Sequence, residues 1–418
     1  MESRLSVVVP VHNVEPYLRE CLDSIREQTF EDFDVVLIDD GSTDRSAEIA
    51  DSFTARDPRF RLYRQPNEGL GAARNAGLLR IAAGSEYLAF VDSDDTLPPD
   101  AYRLLVDTLD ETGSDFAAGH VTRFRSVGGV PSPIHRKPFA RTVLRTHITK
   151  VPDLVTDRTA WNKVYRRAFW DQHRFRYPEG ILYEDAPVTI PAHFVADSVD
   201  VLSTPVYNWR EREGGTPSIT QRRNDCQGLR DRITSIGLVR EFLAGRPGAQ
   251  AGEHLRLYQD NVVNEELHLF TKVLRRADAE FRRTYLEEVG ALLRRMGPTA
   301  LRACPEPTRL KLYLTAAGRL DELLDLLAYE EEFGSAIPVR GLLGRRADYP
   351  FLRERPAVPA DVVRVGPELT VETRLDATAW RDGLLHLSGR AWTRHLGAER
   401  RASSPKAVLL RELSLIHI

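Results

Sequence analysis

Apolar segments alternate with amphipathic segments over the first 120 residues. Residues 5–11 form a near-continuous apolar run, which predicts a buried strand, and residues 16–28 place their apolar side chains on one helical face. By the same criteria the sequence predicts further strands at 35–38, 59–64 and 86–91, and helices from about 44, at 71–82 and at 98–110. Ser42 or Thr43 is the expected N-cap of the helix that starts near 44. Strands that alternate with helices in this way indicate an α/β fold, with a mostly parallel sheet covered on both faces.

The pattern changes twice further along the chain. Residues 121–220 are less regular, and we interpret them as the second half of the same sheet domain. From about 225 to 335 apolar residues recur at helical spacing, which is typical of a scaffold or an oligomer contact. Alternating residues at 368–373 and 383–392 predict strands. The sequence therefore predicts an α/β domain at 1–222, a helical linker or scaffold at 223–345, and a β-rich domain at 360–418 that ends as if truncated.

Composition excludes several classes of protein. The 418 residues carry a formal net charge of −3, which argues against a general nucleic-acid binder. No apolar run reaches the roughly 20 residues that span a bilayer, and the first residues do not form a signal peptide. Three widely spaced cysteines exclude a disulfide framework and a thiolate zinc site. We expect a cytoplasmic protein, and peripheral association with the inner face of the membrane stays open.

Two acidic segments follow predicted strands. Asp39 and Asp40 come directly after an apolar run, as do Asp92, Asp94 and Asp95. Carboxylates at the ends of parallel strands point into the crevice where open α/β sheets bind ligands. Such a cluster is costly without a cation, and alternate carboxylates offer the hard oxygens that Mg²⁺ or Mn²⁺ prefers. The sequence therefore predicts a divalent metal at Asp92 and Asp94, and a nucleotide diphosphate, with Asp39 and Asp40 available to its base or ribose hydroxyls.

Two later segments add candidate chemistry. Glycines at 69, 71 and 77 surround Arg74, and glycines at a loop-to-helix junction let the backbone approach phosphates while a nearby Arg binds them. Glu184 and Asp185 could supply a general base for deprotonating an acceptor hydroxyl. The segment 207–215, with aromatic and basic residues and two glycines, suits either a closing lid or a solvated loop.

Five segments together resemble the inverting family 2 glycosyltransferases with a GT-A (Rossmann-like) fold. They are 7–13, 38–44, 71–78, 90–95 and 184–185, and they occur in the order and spacing of that family. The resemblance covers roughly residues 5–220, and it implies that the predicted α/β domain is the catalytic one. It implies transfer of a sugar from a nucleotide-diphospho donor with inversion, and side chains around the base and ribose at Pro10, His12, Asp40 and Asn67.

The resemblance also implies roles in catalysis. Arg74 would approach the diphosphate, Asp92 and Asp94 would bind the metal, and Asp185 would be the base beside Glu184. The helical continuation and the loop after residue 207 are similar to wall-teichoic-acid β-glycosyltransferases, some of which continue into a glycerophosphotransferase domain. Those enzymes tend to carry a metal-binding His where this sequence has Thr216.

We therefore expect a metal-dependent glycosyltransferase that uses a nucleotide sugar, with UDP-sugars favoured, and a cell-envelope polymer such as teichoic acid or capsule as acceptor. The alternatives are a nucleotidyltransferase and a non-catalytic polymer-binding scaffold. A nucleotidyltransferase usually has a Gly-rich, Lys-containing loop after its first strand, where this chain has Pro10, Val11, His12 and Asn13. Homo-oligomers through the C-terminal regions are a further expectation.

Overall fold

A computed structural model describes most of the chain and divides it into two compact units. The described residues are 3–126, 128–213, 225–248, 250–334, 337–340, 345–366, 371–382 and 384–393. The two units are Met1–Ala300 and Leu301–Ile418. The division at 222 and 345 stays a prediction, and Thr216 lies outside the described residues.

A nine-stranded mixed sheet forms the centre of the first unit. Its strands are β1 (Leu5–Val11), β2 (Phe33–Asp40), β3 (Phe60–Gln65), β4 (Tyr87–Phe90), β5 (Phe116–Phe124), β6 (Gly129–Pro131), β7 (Val143–Thr146), β8 (Lys163–Arg166) and β9 (Val199–Arg210). They are ordered β3-β2-β1-β4-β8-β5-β9-β7, and β6 pairs with β5. The four neighbouring strands β3, β2, β1 and β4 run parallel to one another. Strand β8 runs antiparallel to both of its neighbours, β4 and β5. Because β5 and β9 run parallel, β8 is a reversed strand between two groups of parallel strands.

Helices cover the sheet and continue beyond it. Around the sheet lie α1 (Glu15–Arg26), α2 (Ser46–Thr54), α3 (Leu70–Leu78), α4 (Ala101–Thr112), α5 (Arg167–His173) and α6 (Ala186–Val195). They are followed by α7 (Cys226–Ala244), α8 (Ala251–Asn261), α9 (His268–Thr271) and α10 (Ala279–Met296), with a π-helical turn at Val262–Glu266. None of the helices in the described ranges is long and apolar enough to cross a membrane.

Helix α2 corrects one local prediction. The sequence predicted a helix from about Asp44 with Ser42 or Thr43 as its N-cap, but the helix begins at Ser46. The Asp44 carboxylate accepts from the backbone N–H of Ser46 at 2.9 Å, so Asp44 supplies the capping interaction. The Ser42 hydroxyl instead accepts from the backbone N–H of Asn13 at 3.2 Å.

The sheet is buried on both faces. Every residue of β1 and β2 is buried, as the near-continuous apolar runs predicted. On one face these strands pack in a large apolar cluster with α1 and α4, and on the other face Val36 and Ile38 contact Ala73 of α3. Helix α3 lies very close to the sheet, since a Cβ at Gly77 would come 2.3 Å from Cγ1 of Val8.

The second unit combines helices with short strand pairs. Its elements are α11 (Glu306–Ala316), α12 (Leu320–Phe333), β10 (Val339–Arg340), β11 (Arg346–Ala347), β12 (Val371–Arg381) and β13 (Leu384–Thr393). The pairs β10–β11 and β12–β13 are antiparallel. Strand β13 falls where the alternating pattern predicted a strand at 383–392, whereas β12 overlaps the strand predicted at 368–373 only at its start and continues to Arg381.

Gly77→Ala is expected to lower the free energy of unfolding by about 1–3 kcal/mol, because overpacking forces buried Val8 or α3 to move. Urea or thermal unfolding measures the change. The control is Gly237→Ala in α7, where no atom lies within 4 Å of the added Cβ and alanine favours the helix. Wild-type stability in Gly77→Ala would contradict the close approach of α3.

Candidate active site

The carboxylate of Asp40 holds the loop that leads into α3. Asp40 is buried at the end of β2, and it accepts from the backbone N–H groups of Glu68 at 3.0 Å and Gly69 at 2.9 Å. It also accepts from the side-chain amide of Gln65 at 2.8 Å. A close approach between the two segments is needed, since a Cβ at Gly41 would lie 2.8 Å from the backbone N of Asn67. Asp40 therefore shapes the loop, and its contact with a nucleotide stays a prediction.

Exposed polar side chains surround this loop. His12 forms hydrogen bonds at both ring nitrogens, with Nδ1 2.8 Å from the carbonyl oxygen of Asp40. If Nδ1–H donates there, Nε2 is the acceptor for the amides of Asn67 at 3.0 Å and Asn13 at 3.1 Å. Pro10 is buried in β1, just before this group. The structure therefore brings His12, Asn67 and the end of β2 together, and their contact with a base and ribose stays a prediction.

The second acidic segment contains two partly exposed carboxylates and one buried carboxylate. Asp92 and Asp94 keep 26% and 17% of their side chains exposed, whereas Asp95 is 2% exposed. Asp95 accepts from the hydroxyl of Tyr207 at 2.9 Å and from the backbone N–H of Arg210 at 2.7 Å. Burial and the charges of Asp94 and Asp92 raise the pKa of Asp95 well above its usual value. Asp95 thus anchors the acidic segment to β9.

A fully buried arginine connects the two candidate centres. Arg74 of α3 is 1% exposed, and its guanidinium donates to Asp92 at 2.6 Å and to Glu184. It also lies 5.2 Å from the ring centroid of Tyr177. Burial raises the pKa of Glu184 to about 7, although the charge of Arg74 opposes this and Asp185 adds to it. The predicted contact of Arg74 with a diphosphate stays a prediction, and its guanidinium is bound to these two carboxylates.

Two further contacts hold α3 against the segment before Glu184. The side-chain amide of Asn75 donates to the carbonyl of Tyr177 at 2.9 Å and accepts from the backbone N–H of Tyr177 at 2.9 Å. A Cβ at Gly71 would lie 2.2 Å from the carbonyl oxygen of Pro178. Gly71 and Gly77 therefore serve close packing, whereas Gly69, with φ of +91°, provides a left-handed turn in the loop before α3.

Asp185 occupies the N-cap of α6. Its Oδ1 accepts from the backbone N–H of Ala186 at 2.9 Å, and no described residue hydrogen-bonds to its Oδ2. The negative charge at this position is favoured by the helix N-terminus. The charge of Asp185 also contributes to the raised pKa of Asp92, after burial, the opposing charge of Arg74, and Asp94. The candidate base therefore lies within electrostatic range of the candidate metal ligands.

A network of buried charged side chains also holds α6 in place. Asp157 is completely buried, and it pairs with the ammonium of Lys163 at 2.8 Å and with Nε2 of His193 at 3.1 Å. Burial opposes ionisation of Asp157, but Lys163 and His193 hold its pKa well below the usual range. Since His193 belongs to α6, this network anchors the helix whose N-cap is Asp185.

The donor set at Asp92 and Asp94 fits a divalent cation. Among the described residues each carboxylate keeps one oxygen without a hydrogen-bond partner, while the other oxygen pairs with Arg74 or Arg212. Burial and the charge of Asp94 raise the pKa of Asp92 against the effect of Arg74, which indicates a charge that a cation would relieve. Within the described ranges no group of three or more His, Cys, Asp and Glu side chains forms a metal cluster.

Several residues of this site were not assigned a role from the sequence. Tyr207 connects Asp92 and Asp95 of the second acidic segment, because its hydroxyl accepts from the backbone N–H of Asp92 at 3.1 Å and donates to Asp95. Arg212 pairs with Asp94 at 2.7 Å. Both belong to the segment 207–215, whose aromatic and basic composition was the available signal. Asp39 is buried and accepts from the backbone N–H of Ser42 at 3.2 Å, so its contact with a ribose stays a prediction.

Relatives among known proteins share this part of the chain. Residues 6–173 match the family described as Glycosyl transferase family 2. EpsH of Bacillus subtilis (strain 168), which carries the name of a glycosyltransferase, is 34% identical over 209 residues, or 49% of this chain and 60% of EpsH. Glycosyltransferase GlyA of Streptococcus pneumoniae serotype 4 is 32% identical over 222 residues, or 51% of this chain and 31% of GlyA. The chain thus spans less than two thirds of either relative.

A solved structure shows the same fold. S. aureus TarS 1–349, in complex with UDP-GlcNAc, superposes with a TM-score of 0.68 at 21% identity, over 85% of this chain and 98% of that one. At this identity the likeness shows the fold, and it agrees with the predicted GT-A architecture. Together with the match at residues 6–173, it identifies a family 2 glycosyltransferase domain with a GT-A fold in this part of the chain.

Proposed function

We propose that the chain transfers a sugar from a UDP-sugar to a hydroxyl of a cell-envelope polymer, with inversion at the anomeric carbon. One observation carries the proposal: Arg74 binds Asp92, a candidate metal ligand, and also Glu184, the neighbour of the candidate base Asp185. Inverting transfer needs a base and a diphosphate-binding group in the same site, because the acceptor is deprotonated as it attacks from the side opposite the leaving diphosphate. The family match at residues 6–173 supports sugar transfer as the reaction type.

The proposed reaction is a single displacement. The oxygen of the acceptor forms a bond to the anomeric carbon while the bond from that carbon to the diphosphate oxygen breaks. The acceptor proton moves to Oδ2 of Asp185, whose other oxygen is bound to the N-terminus of α6. Glu184 is buried and serves to fix Arg74.

Asp92 and Asp94 are the residues that would hold Mg²⁺ or Mn²⁺. When bound, the cation supplies charge that stabilises the leaving nucleoside diphosphate. Arg212 contributes a positive charge at the same place through its pair with Asp94. On the donor side, His12, Asn67 and the end of β2 would contact the base and ribose.

The partners follow from this chemistry. The donor is proposed as UDP-linked because TarS, which shares the fold, was solved with UDP-GlcNAc. The acceptor is proposed as teichoic acid or capsule because the helical continuation and the segment after Tyr207 resemble those of wall-teichoic-acid β-glycosyltransferases. Location in the cytoplasm, peripheral membrane association and assembly into oligomers stay predictions.

Asp185→Asn is expected to lower kcat by about 10²–10⁴-fold, the usual contribution of a general base, while UDP affinity stays within about twofold. Release of UDP from UDP-N-acetylglucosamine, UDP-glucose and UDP-galactose measures turnover, and calorimetry measures UDP binding. Asp153→Asn, which changes an exposed carboxylate, is the control. Near-wild-type turnover in Asp185→Asn would exclude Asp185 as the base.

Asp94→Asn is expected to weaken UDP binding in MnCl₂ by about 10–100-fold, as is usual for losing a contact at a metal site. In wild type, EDTA should weaken UDP binding to a similar degree, and EDTA should have little further effect on the variant. Asp107→Asn in α4 changes an exposed carboxylate and is the control. Chelator-insensitive UDP binding in the wild type would refute the metal site.

Arg74→Met is expected to lower the free energy of unfolding by about 3–5 kcal/mol, because it leaves Glu184 buried and unpaired. Adding Glu184→Gln removes that charge and should restore part of the stability without restoring turnover. Urea unfolding of the two variants and the wild type gives the comparison. Equal stability of Arg74→Met and wild type would refute the structural importance of the pair.

A further inference from the structure

Helix α7 contacts the backbone of the segment that carries the proposed base. Asp231 accepts from the backbone N–H of Leu182 at 3.1 Å, and the hydroxyl of Ser235 donates to the carbonyl of Tyr183 at 2.8 Å. Asp231 and Ser235 are both buried, and they lie one turn apart on the same face of α7. The two hydrogen bonds therefore fix consecutive residues directly before Glu184 and Asp185.

A third contact comes from the same helix. The guanidinium of Arg232 lies 4.9 Å from the ring centroid of Tyr183 and pairs with Glu266 at 2.5 Å. Glu266 also pairs with Arg158 at 3.3 Å, and it ends the π-helical turn Val262–Glu266. Both Arg232 and Glu266 are buried, so Arg232 has little freedom to leave the ring.

Tyr183 needs this support because of its backbone. Its φ is +62°, a left-handed conformation that costs a non-glycine residue roughly 1–2 kcal/mol. The chain turns at this residue, and Asp185, the N-cap of α6, follows two residues later. If Tyr183 relaxed to a negative φ, the direction of the chain into Asp185 would change.

We propose that Asp231, Arg232 and Ser235 of α7 are positioning residues, which hold Tyr183 in its left-handed conformation and so aim Asp185 at the acceptor hydroxyl. This inference rests on the proposed function of Asp185. It gives a catalytic purpose to a helix that the sequence pattern indicated as scaffold. A displacement of about 1 Å at a catalytic group can lower the rate about a hundredfold, so losing one of these contacts is expected to have a measurable effect on kcat.

The experiment compares Ser235→Ala and Asp231→Ala with Thr234→Ala in the full chain. Thr234 is the neighbouring hydroxyl residue of α7, and it is exposed, so its variant removes a hydroxyl from the same turn and is the matched control. Release of UDP from UDP-N-acetylglucosamine, UDP-glucose and UDP-galactose gives kcat and KM, and calorimetry gives the Kd of UDP. Hydrogen exchange of the peptide 180–185 reports the segment itself.

The first two variants are expected to lower kcat about ten- to a hundredfold, with KM for the donor and the Kd of UDP within about twofold. They should also speed exchange in the peptide 180–185, while Thr234→Ala leaves both kcat and exchange at the wild-type level. Asp231→Asn keeps an oxygen that can accept from Leu182, so it should recover most of kcat. A structural role alone would lower stability and leave kcat of the folded protein unchanged.

Three outcomes overturn the inference. They are wild-type kcat in Ser235→Ala and Asp231→Ala, equal losses of kcat and UDP affinity, and unchanged exchange in the peptide 180–185. Asp185→Asn, measured in parallel, separates this failure from that of the proposed function. If Asp185→Asn is fully active, or the wild type releases no UDP, the proposed function fails, and hydrogen exchange alone then decides whether α7 holds the segment.

Discussion

The buried guanidinium of Arg74 is the interaction on which the site depends. A buried charge is stable only when it is paired, and Arg74 finds its partners in Asp92, which follows β4, and Glu184, which precedes α6. These carboxylates come from parts of the chain that are 92 positions apart in the sequence. Arg74 therefore sets the distance between them, and the opposite charges make that distance costly to change. The candidate base next to Glu184 takes its place from the same pairing.

Helix α3 extends this constraint to the rest of the crevice. The loop before it is held by Asp40, its middle by Arg74 and Asn75, and its last turn packs through Gly77 against Val8 of β1. Among the described contacts, no hydrogen bond or ion pair joins the side chains of the two acidic segments directly. Both segments hold the same helix α3, so this helix connects the loop at the end of β2 to the candidate catalytic carboxylates.

Local sequence patterns predicted the strands, helices and acidic segments well, because those features depend on neighbouring residues. The strands from β1 to β4 and the acids at their ends needed only hydrophobic periodicity and strand direction. The predicted start of α2 was wrong because the Asp44 carboxylate binds the backbone N–H of Ser46, so the helix begins later, while Ser42 has a distant partner in Asn13. The roles of Tyr207 and Asp157 depend on side chains that meet across the fold. No spacing in the sequence carries that information, and the same is true of the contacts from α7.

The polar group near the end of β2 differs from the rest of the site in one respect. His12, Asn13 and Asn67 are exposed, and His12 bonds to the side-chain amides of the other two, whereas Asp40 is buried and holds backbone. Substitutions in this outer group leave the supporting carboxylate untouched and cost the fold little. Mutations in this outer group therefore change the side chains offered at this edge of the sheet while thermodynamic stability stays nearly constant, so that surface chemistry and foldability drift separately.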